Sequence, residues 1–446
     1  MAHRRYDRRS FLKTSLAAAG SLTAGSWLAG CAGVPTAPGD TTGTSGASPA
    51  ASAPKTLRIL QPTGQFEAAD QLVRQQVDAW AEQNGFTVDV DIVDFRAIAA
   101  KIAAALSVQQ GPDIMLLTDS DAWLHAHSLV DVTPTVEKLK QQLNGVYEAV
   151  EVNSYINGKY LAVPFTSYPQ AWIYRTDWFE EVGYSTFPGT MDELMDAGTK
   201  LKAAGRPIGV SLAANNGDAR AFAYSVLWNF GGMEVDETGA QVRINSAETR
   251  AALEWAKQFF DKACDPTGFA WDGGGNNRAY LSKTVSAINN SASVYANARD
   301  DDPELGPVTD TAVSPKGPGG GWFYTPARQY AIARWSPHPD AGQDLISYLL
   351  QPEQYNPWLT ASGGFMNGVY KAYENHPMFE EDPKLKPFQD ILSQGRWAGY
   401  SGRPDARSAQ VWNQDIVVNT FAKVNGGAAI DEAIADAEKQ MKAIYE

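Results

Sequence analysis

The chain has 446 residues, 37 Lys+Arg against 51 Asp+Glu for a formal charge of −14, with 44 % hydrophobic and 20 % charged residues. This is the composition of an ordinary folded protein, long enough for two lobes with a core each. The acidity excludes nucleic acid as a natural partner, and two cysteines exclude a disulfide scaffold.

At the N-terminus, Arg8-Arg9-Ser10-Phe11-Leu12-Lys13 precedes a mild apolar run from Leu16 to Leu28, interrupted by Gly20 and Gly25. Too short and too weak to stay in a bilayer, the run reads as a removable targeting signal, and its paired arginines resemble a twin-arginine export signal. Leu28-Ala29-Gly30-Cys31 resembles a lipobox. Residues 1–30 are therefore expected to be a signal peptide, with Cys31 lipidated and holding the protein at the outer face of the cell membrane. Losing them removes five basic residues and one acidic one, which takes the charge to −18. Residues 31–54 are nearly all small or Pro, with Asp40 their one charge, and read as a flexible tether.

From Lys55 onward strand and helix patterns alternate. Residues 56–61 alternate as a strand; Ala69, Leu72, Val73, Val77, Trp80 and Ala81 form a helical stripe; Val88, Val90 and Ile92 alternate again. A helix is expected over about 95–109, then a buried parallel strand at Asp113-Ile114-Met115-Leu116-Leu117-Thr118. This order implies an α/β protein with an open, doubly wound sheet, in which ligands bind beyond the carboxyl ends of the strands. Those ends are Thr63-Gly64-Gln65 and Asp119-Ser120-Asp121. In the second half, Thr190 and Glu193 form a capping box. Residues 208–212 read as a strand ending in Asn215-Asn216-Gly217, and helices follow at about 247–262 and from Ile430 to Ile444.

Several segments, in this order, resemble the extracellular solute-binding proteins of sugar ABC importers, the maltose-binding type (family 1). They are Gly111-Pro112-Asp113-Ile114, Asn157-Gly158-Lys159-Tyr160, Ile173-Tyr174-Arg175-Thr176-Asp177-Trp178-Phe179, Tyr280-Leu281-Ser282-Lys283 and Gln351-Pro352-Glu353. The resemblance implies a type II periplasmic-binding-protein clam-shell, two doubly wound α/β lobes joined by hinge crossovers. Lobe one would be 55–163 plus 317–364, and lobe two 164–316 plus 365–446. It further implies a monomer without cofactor or catalysis, which captures an oligosaccharide or monosaccharide and delivers it to a permease. Asn290-Ser291-Ala292 stands where the family often has a tryptophan, and Leu117 with Asp119-Ser120-Asp121 replaces a tryptophan and an Asp-Arg pair. These departures point away from maltose itself.

Sugar sites place aromatic rings under C–H faces and planar hydrogen-bonding groups around hydroxyls. Ring candidates, by position near the crossovers, are Tyr168, Trp322, Tyr324, Trp397 and Trp412, with Arg403 in the same polar-aromatic stretch. Polar candidates at strand ends are Gln65, Asp119, Ser120, Asn215, Asn216, Asn290 and Ser291, all residues that turns also favour. No nucleophile elbow, zinc-binding helix motif or phosphate loop is present in the sequence. The Asp272–Asn277 loop has calcium-like oxygens without the closing Glu, so no metal is expected. Two other readings stay open: a binder of a polyamine or peptide, to which Asp119-Ser120-Asp121 would be attractive, and a lipid-anchored glycoside hydrolase using two carboxylates.

Overall fold

Two sheets, each with its own core, organise the body of the protein. The computed structural model describes residues 55–94, 96–212 and 217–446. The signal peptide, the tether, Cys31, Asn215 and Asn216 lie outside the described residues.

The first sheet has six strands in the order Asn367–Gly368, Val163–Ser167, Ala327–Ile332, Ile114–Thr118, Lys55–Pro62, Phe86–Val93. Lys55–Pro62 pairs in parallel with Phe86–Val93 and Ile114–Thr118, through crossover helices Glu67–Asn84 and Ile98–Val108. Ala327–Ile332 runs antiparallel to both of its neighbours. The run at 114–117 is apolar throughout because both of its faces are covered. Ile114 and Leu116 join the core under helices Glu67–Asn84 and Pro339–Leu349, while Met115 and Leu117 meet Ile98, Ile102 and Leu106 on the other side.

The second sheet is antiparallel, with Gln170–Arg175 between Ala287–Ser291 and Thr309–Ala312. Helices Met191–Ala203, Gly217–Asn229, Ala247–Ala263 and Ile416–Asn425 close one core over Trp172, Leu253 and Phe259. The capping box at Thr190 forms as read: Glu193 N–H donates to Thr190 Oγ1 (3.2 Å) and Thr190 N–H to Glu193 Oε2 (3.0 Å). Residues 208–212 do not form the expected strand. Ile208 and Gly209 make single bridges to two different neighbours, Cys264 and Ile288, so no ladder develops. Gly209 lies so close to Val285 and Ile288 that a Cβ would meet them at 2.9 and 3.0 Å.

The chain passes from the first sheet to the second between Ser167 and Gln170. It returns through Phe323–Tyr324, a two-residue strand paired with Gly395–Arg396. Gly363 and Gly364, both at positive φ (60° and 82°), where residues with side chains are disfavoured, lead into Asn367–Gly368 of the first sheet, and the third passage comes after that strand.

Candidate functional site

A cavity of about 440 Å³ opens between the two sheets. Around it stand the carboxyl ends of three strands, at Pro62, Thr118 and Ser291. This is where open α/β sheets hold ligands, because the loops there are free of the ladder.

Asp119, the first residue past Ile114–Thr118, sits at φ 46°, a left-handed conformation that Asp tolerates. Its N–H donates to Ala327 O (2.8 Å), its Oδ1 accepts from Ala327 N–H (3.1 Å), and its carbonyl accepts from Gln329 Nε2 (2.6 Å). Those bonds tie it to the start of the antiparallel strand. Asp119 lines the cavity. Burial accordingly pushes its carboxyl up to about 6, with Asp121 adding to the rise and Tyr324, the Ala327 amide and Arg220 opposing it.

Across the cavity, Asp218 stands in the first turn of Gly217–Asn229, where the helix dipole favours a carboxylate. Gln170 Nε2 donates to its Oδ1 (2.6 Å) and Asn290 Nδ2 to its Oδ2 (3.2 Å). Burial pushes this carboxyl up to about 6 as well, against the Asn276 and Gln170 side chains. Asn290 Nδ2 also donates to Asn277 Oδ1 (2.6 Å), and Asn290 Oδ1 accepts the Ser291 N–H (2.7 Å). The second lobe thus contributes a linked set of amides around one carboxylate.

Rings and guanidinium groups complete the wall. Trp412 stacks on Tyr324 at 4.4 Å between centroids, and Arg220, ion-paired to Asp415 at 2.6 Å, lies 4.8 Å from the Trp412 ring. Tyr168, between the two sheets, stacks on Phe365 at 5.9 Å and carries Arg328 at 4.6 Å. Arg328 is only 4 % exposed, forms no ion pair among the described residues, and loses basicity through desolvation. Two buried polar atoms of these wall residues complete no hydrogen bond among the described residues: Gln170 Oε1 and Arg328 Nε. Each leaves about 1–3 kcal/mol of desolvation uncompensated. An acceptor and a donor side by side suit a polyhydroxylated solute better than an ion of one sign.

The family model for bacterial extracellular solute-binding proteins matches residues 75–387. The chain belongs to that family. A protein of Deinococcus radiodurans described as a probable ABC transporter-binding protein is 22 % identical to this solute-binding protein over 295 residues, 62 % of this chain and 68 % of that one. Among solved structures, maltose-bound T. maritima MalE3 superposes with a TM-score of 0.74 at 20 % identity, covering 87 % of this chain and 99 % of the other. The cyclic α-maltosyl-1,6-maltose binding protein of Arthrobacter globiformis gives 0.73 at 20 % identity, covering 88 % and 99 %. A solute-binding protein of Thermotoga lettingae bound with α-D-tagatose gives 0.75 at 17 % identity, covering 88 % and 100 %. The fold is the two-lobed α/β clam-shell of type II periplasmic binding proteins. Among the described residues no helix is long and apolar enough to cross a membrane.

Of the residues singled out from sequence, the structure brings Gln65 and Asp119 to the cavity from the first lobe. Asn290, Ser291 and Trp412 come from the second, with Tyr168 and Tyr324 at the crossings. Four others are not on its wall. Ser120 is buried and its carbonyl accepts the Trp123 N–H. Trp397 packs on Ala149 and Val152 and donates its indole N–H to Gly402 O (2.8 Å). Arg403 is exposed, and Trp322 lies against Arg396. Sequence reasoning missed Gln170, Asp218, Arg220, Asn277 and Arg328. For Asp218 a signal existed, since in sequence it directly follows the candidate segment Asn215-Asn216-Gly217. Asn277 stood in the Asp272–Asn277 loop, which supplies Gly273 and Gly274 to the wall as well.

Proposed function

We propose that this protein is the lipid-anchored, extracytoplasmic receptor of an ABC importer, capturing a carbohydrate between its lobes and delivering it to the permease without altering it. The observation that carries the reading is the convergence of rings, amides, two carboxylates and two guanidinium groups, with uncommitted donors and acceptors, on one interlobe cavity. Its volume lies at the lower end of the range for small-molecule sites, about 300–1,000 Å³. The maltose, maltosyl-maltose and tagatose held by or named for its structural neighbours support the solute class, and the Deinococcus relative supports the transporter. The twin arginines and the Cys31 lipobox support export and anchoring.

A glycosidase needs one protonated and one ionised carboxyl with distinct acidities. Asp119 and Asp218 are both pushed to about 6 and are both engaged by internal donors, which favours binding over hydrolysis. The guanidinium groups beside them disfavour a polyamine. In this proposal the lobes divide between Ser167 and Gln170, at Phe323–Tyr324, and beyond Asn367–Gly368, rather than at the boundaries expected from sequence, because Val163–Ser167 and Asn367–Gly368 are strands of the first sheet. Closure is favoured because the solute touches both lobes and so binds the closed state better than the open one.

Isothermal titration of the mature chain against a saccharide panel and a cationic panel tests the reading. Saturable heat with a saccharide is expected. Heat only with polyamines or peptides, or steady release of new reducing ends, overturns it.

A further inference from the structure

We infer that Asp70 is the counter-charge of Arg328 and holds it in position through a single buried water, in a small cavity behind the wall of the interlobe site. The inference rests on the saccharide reading above and adds to it a positioning residue that does not itself reach the solute.

The argument starts from the strand Ala327–Ile332. Side chains two apart on a strand share a face, so Arg328 and Tyr330 point the same way. The register against Val163–Ser167 slips between Arg328 and Gln329: Arg328 lies opposite Thr166 and Gln329 opposite Pro164, which leaves Phe165 as the extra residue. Such irregularities re-aim side chains beside a site. Arg328, Tyr330 and Phe165 border a second cavity of about 10 Å³, together with Gln61 and Asp70. Arg328 borders the interlobe cavity as well, so one side chain touches both spaces.

A buried water needs about 10–15 Å³ and two to four polar partners, and the small cavity meets both requirements. Arg328 is buried and forms no ion pair among the described residues. Its Nη1 donates to the sulfur of Met366, a weak acceptor 3.9 Å away that borders the same cavity. Asp70 carries the opposite charge in the first turn of Glu67–Asn84. Its Oδ1 accepts the Gly64 N–H (2.7 Å) and its Oδ2 the Thr63 hydroxyl, and each oxygen keeps a second lone pair. Gln61 Oε1 accepts the Tyr330 hydroxyl (2.5 Å) and likewise keeps one. Burial pushes the Tyr330 hydroxyl up, with Arg328 opposing and Asp70 adding to the rise, as befits a hydroxyl flanked by both charges. A water that accepts from the guanidinium and donates to Asp70 and Gln61 joins all three. Such bridges are nearly as favourable as direct hydrogen bonds, and this one relieves a buried cation that would otherwise stand uncompensated.

Asp70 thereby ties together two parts of the wall. It fixes the Thr63-Gly64 turn that brings Gln65 to the interlobe cavity, and through the water it sets the guanidinium that faces the same solute. Gly64 suits that turn, since a Cβ there would fall 3.2 Å from Asp70 Oδ1.

A crystal structure of the mature chain that resolves ordered water, with titrations of wild type and Asp70→Asn, tests the inference. Asn keeps an oxygen for the Gly64 N–H and an amide that donates to the Thr63 hydroxyl, so the turn is retained while the charge is lost. Density for one water within hydrogen-bonding distance of both Arg328 and Asp70 is expected. A dry cavity, or a direct Arg328–Asp70 ion pair, overturns the inference without reference to any solute. In the titrations, a saccharide that binds wild type is compared with the uronic acid of the same sugar. Removing the counter-charge should raise affinity for the acid relative to the neutral sugar by about tenfold or more. An unchanged ratio in a variant with wild-type melting behaviour overturns the inference. If wild type binds neither sugar, the saccharide reading fails, while the crystal structure still decides whether Asp70 and Arg328 share a water.

Discussion

Replacing Asp119 with Asn probes the site through its acidity. The left-handed backbone at φ 46° suits Asn as well as Asp, and the side-chain oxygen that accepts from Ala327 N–H is retained. What is lost is the charge. The carboxylate already accepts from the Ala327 N–H and meets the Tyr324 hydroxyl, and a solute hydroxyl donating to it would add a charge-assisted contact worth about 1.5–3 kcal/mol, or roughly 10- to 150-fold in affinity. With burial holding the carboxyl at about 6, its ionised fraction rises about tenfold between pH 5 and pH 7. If the ionised form binds the solute, wild-type affinity climbs with pH over that window. Asp218, also near 6, adds a slope of its own. The discriminating quantity is therefore the ratio of wild-type to Asp119→Asn affinity, measured by titration calorimetry from pH 5 to pH 8 with a saccharide found in the panel. The ratio should grow about tenfold between pH 5 and pH 7 and then level off. A ratio constant across the range would refute the assignment of Asp119 as a charged acceptor for the solute.

Three further outcomes are expected. Glu234 is fully buried, accepts from the Tyr224 hydroxyl (2.9 Å) and the Gly399 N–H, and is pushed by burial from 4.5 to about 7. The native state thus keeps a proton the unfolded chain has lost, so its contribution falls by about 3 kcal/mol as pH rises from 4.5 to 7. In urea melts, Glu234→Gln should gain that amount relative to wild type across the window, and a pH-independent difference would contradict it. Trp412 is 5 % exposed and packs on Tyr224 and Tyr324, so Trp412→Ala should cost about 3–5 kcal/mol of stability as well as affinity, and an unchanged melting temperature would contradict this packing. Arg220→Ala strands the nearly buried Asp415 carboxylate, which should destabilise the protein by about 3–5 kcal/mol, and Arg220→Ala with Asp415→Asn should recover part of that loss in the same melts.

Much of the scaffold was legible because local signals and tertiary packing agree. The alternation at 56–61 and the stripe from Ala69 to Ala81 are the strand Lys55–Pro62 and the helix Glu67–Asn84. The Thr190–Glu193 box opens Met191–Ala203. The reading of 208–212 failed because β-pattern residues make a ladder only where a neighbour runs alongside for several residues. The site was half legible. Asp119 and Ser291 follow from the rule that loops at strand carboxyl ends hold ligands. Arg328 does not, because it lies on a strand that returns antiparallel to Ile114–Thr118 after the excursion through the second lobe. Trp397 and Trp412 look alike in sequence, and only packing separates a ring on Val152 from a ring on the cavity wall. Gln170 became a candidate only once the register Gln170↔Ser291 placed it beside Asp218.

Small-angle scattering of the mature chain, alone and then saturated with the saccharide that binds it most tightly, measures the clamp itself. A solute gripped from both walls should shrink the radius of gyration and shift the distance distribution inward as the lobes close. Identical profiles with the solute bound would mean that the two halves do not respond to it, and the receptor account would have to be abandoned.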